Sequence, residues 1–320
     1  MSPPAVPPEA RALLAGDRRR LARLISSVEN GDPATVPVLR ALYPHTGRAR
    51  IVGITGPLGV GKSSLLNELI QLLRSRGKKV GVVAVDPSSP FSGGSVLGDR
   101  IRLDRTPGDE GVFIRSMASR GHAGGVAEST REIARLLDAF GMDVILVETV
   151  GSGQVDVEIR DVATTSIVVL VPHLGDDVQT LKAGLFEIAD VFCVNKGDLA
   201  GADSAARSLH ELASVGAPRD GWRPKVVITS TIARTGIEAL WDAVEEHERY
   251  LDESGQRATA QRRRLAEEIV ELVETRIGRE LTERLESDPE LARLLELVLS
   301  RDLDPRSAAD RLYSAVRRPA

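Results

Sequence analysis

The 320-residue chain has one cysteine, Cys193. A single thiol excludes an internal disulfide framework and any multi-cysteine zinc site. Aromatic residues make up 3% of the chain, with 5 Phe, 2 Trp and 3 Tyr. That is too few for a surface on which successive nucleic-acid bases stack. Positive charge is not in excess either, because 42 Lys+Arg stand against 46 Asp+Glu, a formal net charge of -4. Electrostatics therefore gives no reason to expect binding to nucleic acid or to an anionic membrane. The longest apolar runs, such as Ile167 to Val171, fall far short of the roughly 18 to 20 residues that cross a bilayer. The first ten residues, MSPPAVPPEA, contain neither the basic segment nor the apolar core of a secretory leader. Together these absences lead to the expectation of a cytoplasmic protein in a reducing compartment. Lysine is scarce as well: only residues 62, 78, 79, 182, 196 and 225 are Lys, and the remaining basic residues are Arg.

What is present is ordinary globular material, 42% hydrophobic and 28% charged, enough for one large core with appendages or for two domains. Residues 8 to about 45 carry a helical pattern. Ala12, Leu13, Leu14, Leu21, Leu24 and Ile25 gather on one face and Arg18, Arg19 and Arg20 on another, before an Asn30-Gly31-Asp32-Pro33 stop. From Ala49 onward, short β-branched runs begin at Ile51, Val80, Asp143, Ser166, Val191 and Lys225. Nearly continuous apolar runs suit strands buried on both faces of a parallel sheet. Helical patterns lie between them at 63–76, 125–139, 179–188, 202–215 and 236–251. The alternation predicts an α/β fold, a doubly wound, mostly parallel sheet. After about residue 253 the strands stop. Leu265, Ile269, Leu272 and Val273 then mark a helix with one apolar stripe, and Leu291, Leu294, Leu295 and Val298 mark another. Such stripes must be covered, either by the same chain or by a second copy. The expected division is 1–46 as an N-terminal helical extension, 47–253 as the nucleotide-binding domain and 254–320 as a C-terminal helical arm.

Residues 56–63 read GPLGVGKS and fit the phosphate-binding P-loop pattern, with a strand before and a helix after. The glycines let backbone N–H groups turn inward around an anion at a helix N-terminus. Gly56, Gly59, Val60, Gly61, Lys62, Ser63 and Ser64 are the expected phosphate-side residues, with Lys62 on the β/γ-phosphate oxygens and the Ser63 hydroxyl on Mg²⁺. Farther along, Asn195-Lys196-Gly197-Asp198 follows an apolar strand. A carboxylate at the fourth position accepts from the N1–H and 2-amino group of guanine, and adenine offers no equivalent donors. Asn195 would brace the loop and the Lys196 stem would lie along the base. Thr229-Ser230-Thr231, ending the next strand, and Ile232 after them are placed for a further backbone contact to the base. N-K-x-D alone also occurs in polar turns; its position after a P-loop and at a strand end gives it meaning. Asp86 and Glu148 end strands at the carboxyl edge of the sheet, where α/β folds bind ligands. Both are candidate metal-site residues, although strand-end acids also cap helices. Asp99 closes a Gly/Ser-rich loop and joins them as a candidate. The Gly151 N–H, in the segment ETVGSGQ, is placed to sense a γ-phosphate. Asp176 or Asp177 reads from the residues alone as the cap of a helix carrying Lys182.

The longer words Asp86-Pro-Ser-Ser-Pro, 94–99 GSVLGD, 111–125 GVFIRSMASRGHAGG and 148–154 ETVGSGQ resemble the MeaB/ArgK/MMAA family. The resemblance runs nearly end to end, from 14–18 LAGDR to 304–309 DPRSAA. It implies a P-loop GTPase that serves as chaperone to an adenosylcobalamin-dependent acyl-CoA mutase such as methylmalonyl-CoA mutase, with that mutase's adenosyltransferase as a further partner. It implies GTP/GDP and Mg²⁺ as ligands, no cobalamin bound directly, and a homodimer through the C-terminal helices. It also assigns Lys62, Asp99, Glu148 and Gly151 to catalysis, Ser63, Asp86, Asp99 and Glu148 to the metal, and Asp176, Gln179 and Lys182 to a third switch. The chain departs from the family pattern at 152–156, at 173–175 and at Gly197, where Ala is common. The first two departures lie in mutase-facing switches, so a related isobutyryl- or hydroxyisobutyryl-CoA mutase stands beside methylmalonyl-CoA mutase as the partner. An amino-acid-transport kinase or ATPase, from an older label on the same family, and a metallochaperone GTPase are the alternatives. Asn195–Asp198 opposes the first, and the lack of Cys/His clusters opposes the second.

Overall fold

The computed structural model describes residues 6–87, 108–119, 125–149, 155–172, 187–215 and 220–316. The chain divides into two compact units, Met1–Gln256 and Arg257–Ala320. In the first, the strands are β1 (Arg50–Thr55), β2 (Val80–Pro87), β3 (Val112–Ser119), β4 (Val144–Thr149), β5 (Thr165–Leu170), β6 (Val191–Val194) and β7 (Lys225–Ile228). Its helices are α1 (Pro8–Leu14), α2 (Arg18–Glu29), α3 (Val36–Leu42), α4 (Lys62–Ser75), α5 (Gly125–Ala139), α6 (Val155–Val162), α7 (Ala202–Val215) and α8 (Ile237–Glu253). The strands form one sheet in the order β3-β2-β4-β1-β5-β6-β7, and every pairing is parallel.

The sheet is buried on both faces, so its strands can be apolar throughout. Along β4 the side chains alternate: Ile145 and Val147 join one core, with Ile133, Leu137 and Phe192. Val144 and Leu146 join the other, with Leu65, Leu69, Trp241 and Val244 of α4 and α8. Each fully buried Leu, Ile or Val contributes roughly 1.5–3 kcal/mol, so these two layers are the main source of stability.

Before the Asn30–Pro33 stop the N-terminal helical pattern is two helices, α1 and α2, and α3 follows the stop. The break comes at Gly16, whose φ is 87°, and Asp17 restarts the chain by accepting from the Arg20 N–H at 3.0 Å. That backbone hydrogen bond holds the Asp17 carboxyl below its usual range. Arg18 does not simply face solvent: it donates to the carbonyls of Glu110 and Val112, each at 2.6 Å. From β3, Arg115 pairs with Glu29 and donates to Ser26 Oγ at 3.0 Å. The edge strand is thus tied to α2 by polar contacts as well as by the core.

A second polar cluster lies at the amino edge of the sheet. Thr165, which starts β5, donates to Glu248 Oε1 at 2.7 Å and lies 2.9 Å from His247 Nδ1. Thr164 Oγ1 donates to the same carboxylate oxygen at 2.6 Å. Asp190 accepts from the Ser166 N–H at 2.8 Å, and its other carboxylate oxygen lies 3.6 Å from His247 Nε2. Asp190, His247 and Glu248 are all buried.

The second unit carries α9 (Gln256–Ser287), α10 (Pro289–Leu299) and α11 (Pro305–Val316). On α9, Ile269, Val270, Leu272, Val273 and Ile277 are all exposed. No helix among the described residues is long and apolar enough to cross a membrane. The expected helix at 179–188 lies largely outside the described residues. Two elements the sequence pattern did not announce are β3 and the short α6.

Candidate nucleotide-binding site

Because the strands run parallel, all their carboxyl ends share one edge, and the loops leaving that edge meet there. β1 ends at Thr55, and residues 56–61 lead into α4. Gly61, at φ 93°, stands at the helix N-cap. The left-handed backbone favours glycine, and so does the space around it: a Cβ there would lie 2.5 Å from Asn195 Nδ2. Lys62 is buried and folds back over the loop, donating to the carbonyls of Gly56 at 2.6 Å and Pro57 at 3.0 Å. Its ammonium therefore sits within the turn formed by the loop backbone. Ser64 is exposed on the first turn of α4.

Glu148 reaches the same place from β4. It pairs in register with Ile54 of β1, so its side chain and the P-loop leave neighbouring strands at nearly the same height. The Ser63 hydroxyl donates to Glu148 Oε1 at 2.8 Å. On the other side, Glu148 pairs with Ala84 of β2, which puts Asp86 two residues farther along the same edge. Beneath them, Thr149 Oγ1 donates to Thr55 Oγ1 at 2.8 Å and joins β4 to β1.

The loop after β6 completes the edge. Asn195 is fully buried, and its Nδ2 donates to the Val60 carbonyl at 2.8 Å. Its Oδ1 accepts from Thr229 Oγ1 at 3.2 Å. Lys196 takes a left-handed conformation, φ 57°, and donates to the Gly59 carbonyl at 2.8 Å. Two consecutive side chains of the base loop thus hold two carbonyls of the phosphate loop. The Asp198 carboxylate accepts from the Ser230 hydroxyl, and Ser230 Oγ accepts from the Ala233 N–H at 3.1 Å. Thr231 is partly buried beside it, and Ile232 is 83% exposed. The glycine at 197 has a packing reason, since a Cβ there would lie 2.4 Å from Ile228 Cγ2. Ile228 occupies the room that an alanine would need.

The structure therefore brings together Gly56, Gly59, Val60, Gly61, Lys62, Ser63 and Glu148 on one side, and Asn195, Lys196, Asp198 and Ser230 on the other. Asp99, Gly151, Asp176, Gln179 and Lys182 lie outside the described residues. Thr229 belongs to the stretch expected to give a backbone contact to the base, but its side chain points inward to Asn195, a role that motif reading did not assign. Nothing in a single sequence distinguishes the two directions.

The sequence matches the family described as Methylmalonyl Co-A mutase-associated GTPase MeaB over residues 21–286. The chain belongs to the MeaB family. A putative GTPase of Pyrococcus abyssi is 48% identical over 94% of each chain. The mouse protein named methylmalonic aciduria type A homolog, mitochondrial, is 32% identical over 82% of this chain and 65% of its own length. A solved structure described as an LAO/AO transport system kinase superposes with a TM-score of 0.72 over 97% of both chains, at 28% identity. As a MeaB-family P-loop GTPase, the chain has GTP and GDP as its implied ligands. The family typically uses Mg²⁺, and the residues present fit it: the Ser63 hydroxyl and a Glu148 carboxylate oxygen, already in contact, are the hard oxygen donors that Mg²⁺ prefers.

Proposed function

We propose that this MeaB-family GTPase gates cofactor loading of an adenosylcobalamin-dependent acyl-CoA mutase and protects or reactivates that mutase. The observation that carries the nucleotide half of this reading is the pair of bonds from Asn195 and Lys196 to the Val60 and Gly59 carbonyls. They make the phosphate loop and the base loop one cradle, with Asp198 at its base end to accept from guanine. In this reading the backbone N–H groups of 59–63 hold the β-phosphate, and Lys62 exchanges its carbonyl partners for β- and γ-phosphate oxygens. Ser63, Asp86, Asp99 and Glu148 are the residues that would hold Mg²⁺. When bound, Mg²⁺ supplies charge neutralisation at those same oxygens. The Gly151 N–H senses the γ-phosphate, and Asp176, Gln179 and Lys182 form the third switch. Ser64, Thr231 and Ile232 line the two ends of the nucleotide.

Hydrolysis converts GTP and water to GDP and phosphate. Phosphoryl transfer depends mainly on positioning and charge stabilisation, so the reaction is slow in the isolated protein and faster when the mutase orders the switches. Losing the γ-phosphate changes the surface offered to the partner. The family description supports the mutase as partner. The exposed apolar residues of α9 support a homodimer through 254–320, because a stripe of that kind is stable in water only when covered. The protein acts in the cytoplasm and does not itself hold cobalamin. A purified mutase of the methylmalonyl- or isobutyryl-CoA class should raise the GTPase rate or change nucleotide affinity; a mutase that alters neither defeats the reading. The name carried by the similar solved structure, a transport-system kinase, keeps a second reading in play. Competition decides it, since excess ATP should leave bound GDP in place.

A further inference from the structure

The chain's only thiol lies two residues before Asn195. Cys193 is fully buried on β6, and its Sγ is 3.1 Å from Thr229 Oγ1. Distance alone does not say which atom donates, but the surrounding bonds do. The Val60 carbonyl can only accept, so the Asn195 NH₂ must face it. The Asn195 Oδ1 therefore faces Thr229, and it too can only accept. Thr229 has one hydroxyl proton, which this bond uses. Toward Cys193 the same hydroxyl oxygen must then accept, and the thiol must donate. The result is a directed series of hydrogen bonds, from Cys193 S–H to Thr229 O–H to the Asn195 amide to the carbonyl of the phosphate loop. Burial keeps the proton on sulfur by pushing the thiol pKa up to about 12, so the donor is present throughout the physiological pH range.

We propose that Cys193 is a positioning residue of the guanine site: its thiol orients Thr229, which fixes the Asn195 amide that joins the base loop to the phosphate loop. A valine, one heavy atom larger, would keep an apolar side chain between the register partners Val169 and Val227, but would leave Thr229 Oγ1 without its donor. The Thr229 rotor would then be less constrained and the Asn195 bond weaker. The inference rests on reading 195–198 as the guanine loop.

The test uses the full-length chain and a fluorescent GDP analogue, with the matching ADP analogue as control. One net hydrogen bond corresponds to about a fivefold change in an equilibrium or dissociation rate. Cys193→Val should speed GDP dissociation by about that factor, and Cys193→Ser, which restores a donor, should return it to within about twofold of wild type. Thr229→Val, which breaks both ends, should cost about tenfold or more. A spectroscopic readout is independent of binding: the single S–H stretch in the Raman spectrum should lie at the low frequency of a donating thiol. Thr229→Val should move it up. An unchanged GDP dissociation rate in Cys193→Val, or an S–H band indifferent to Thr229→Val, overturns the proposal. A lowered Tm in Cys193→Val without faster dissociation also overturns it. If wild type prefers ADP to GDP, the guanine reading fails instead, while the S–H band still reports on the hydrogen-bond series.

Discussion

The two edges of the sheet both bury polar side chains, but they use them differently. At the carboxyl edge, Lys62, Asn195 and Lys196 donate to backbone carbonyls of the phosphate loop. At the amino edge, Thr165, Glu248, His247 and Asp190 bond mainly to one another. The first arrangement fixes the shape of the loops, and of its three donors Lys62 is the one proposed to exchange its carbonyls for ligand oxygens. The second is closed and joins α8 to the starts of β5 and β6. Burial of charge does not by itself mark a site. What distinguishes the two edges is whether the partners are exchangeable.

If this distinction holds, damage at the carboxyl edge should appear in nucleotide chemistry, and damage at the amino edge in stability. The largest effect is expected for Lys62→Ala, which should lower the single-turnover GTPase rate by on the order of 1,000-fold while leaving Tm within a few degrees. Next comes Glu248→Ala at the opposite edge. It removes the carboxylate acceptor of the buried Thr165 hydroxyl and leaves the half-buried Thr164 hydroxyl only the Ile51 carbonyl, and should cost about 3 kcal/mol in chemical denaturation. GDP affinity should stay unchanged; a parallel loss of affinity would erase the contrast between the edges. Asp198→Asn should shift preference from GTP toward xanthosine triphosphate by on the order of 100-fold, because the amide can donate to the 2-oxo group. Unchanged preference in a competition assay removes Asp198 from the base site.

The smallest effect tests an ion pair that belongs to neither polar cluster. Arg74 pairs with Asp109 through two hydrogen bonds of 2.7 and 2.8 Å. The Arg74 guanidinium, with the Gly111 N–H, holds the Asp109 carboxyl below its usual range. A depressed carboxyl pKa contributes stability above the unfolded value of about 3.9 and loses it as pH falls through the lower folded value. Asp109→Asn should therefore lower Tm at pH 7 by only about 2 °C, since the pair is still partly solvated. The gap from wild type should close as the pH falls below about 4.

The carboxyl edge was largely legible in the sequence because its parts are local words. GPLGVGKS and NKGD each state a chemistry within a few residues, and the strands before them are plain apolar runs. The bonds between those words were not legible, since Asn195 and Val60 lie far apart in the chain and nothing local announces their meeting. β3 was missed for a related reason. Arg115 and Ser116 interrupt its apolar pattern, and Arg115 becomes acceptable in a strand only because Glu29 and Ser26 of α2 receive it. The amino-edge cluster left no signal, because a Thr, a His and two acids scattered over β5, β6 and α8 match no motif. The α8 stripe itself was expected, whereas the polar turn of it at 247–248 is explained only by what packs below.

The position of β1 has a consequence for how the chain is made. β1 carries the phosphate loop, yet its neighbours are β4 and β5: Arg50 pairs with Val144, and Val52 with Thr165. A chain synthesised from its amino end therefore presents the loop's supporting strand long before either partner exists. Contacts of such separation form slowly, because the intervening segment must be closed first. Until then Ile51, Val52 and Ile54 have no sheet to enter. The part of the molecule most easily recognised in its sequence is among the last to become able to do anything.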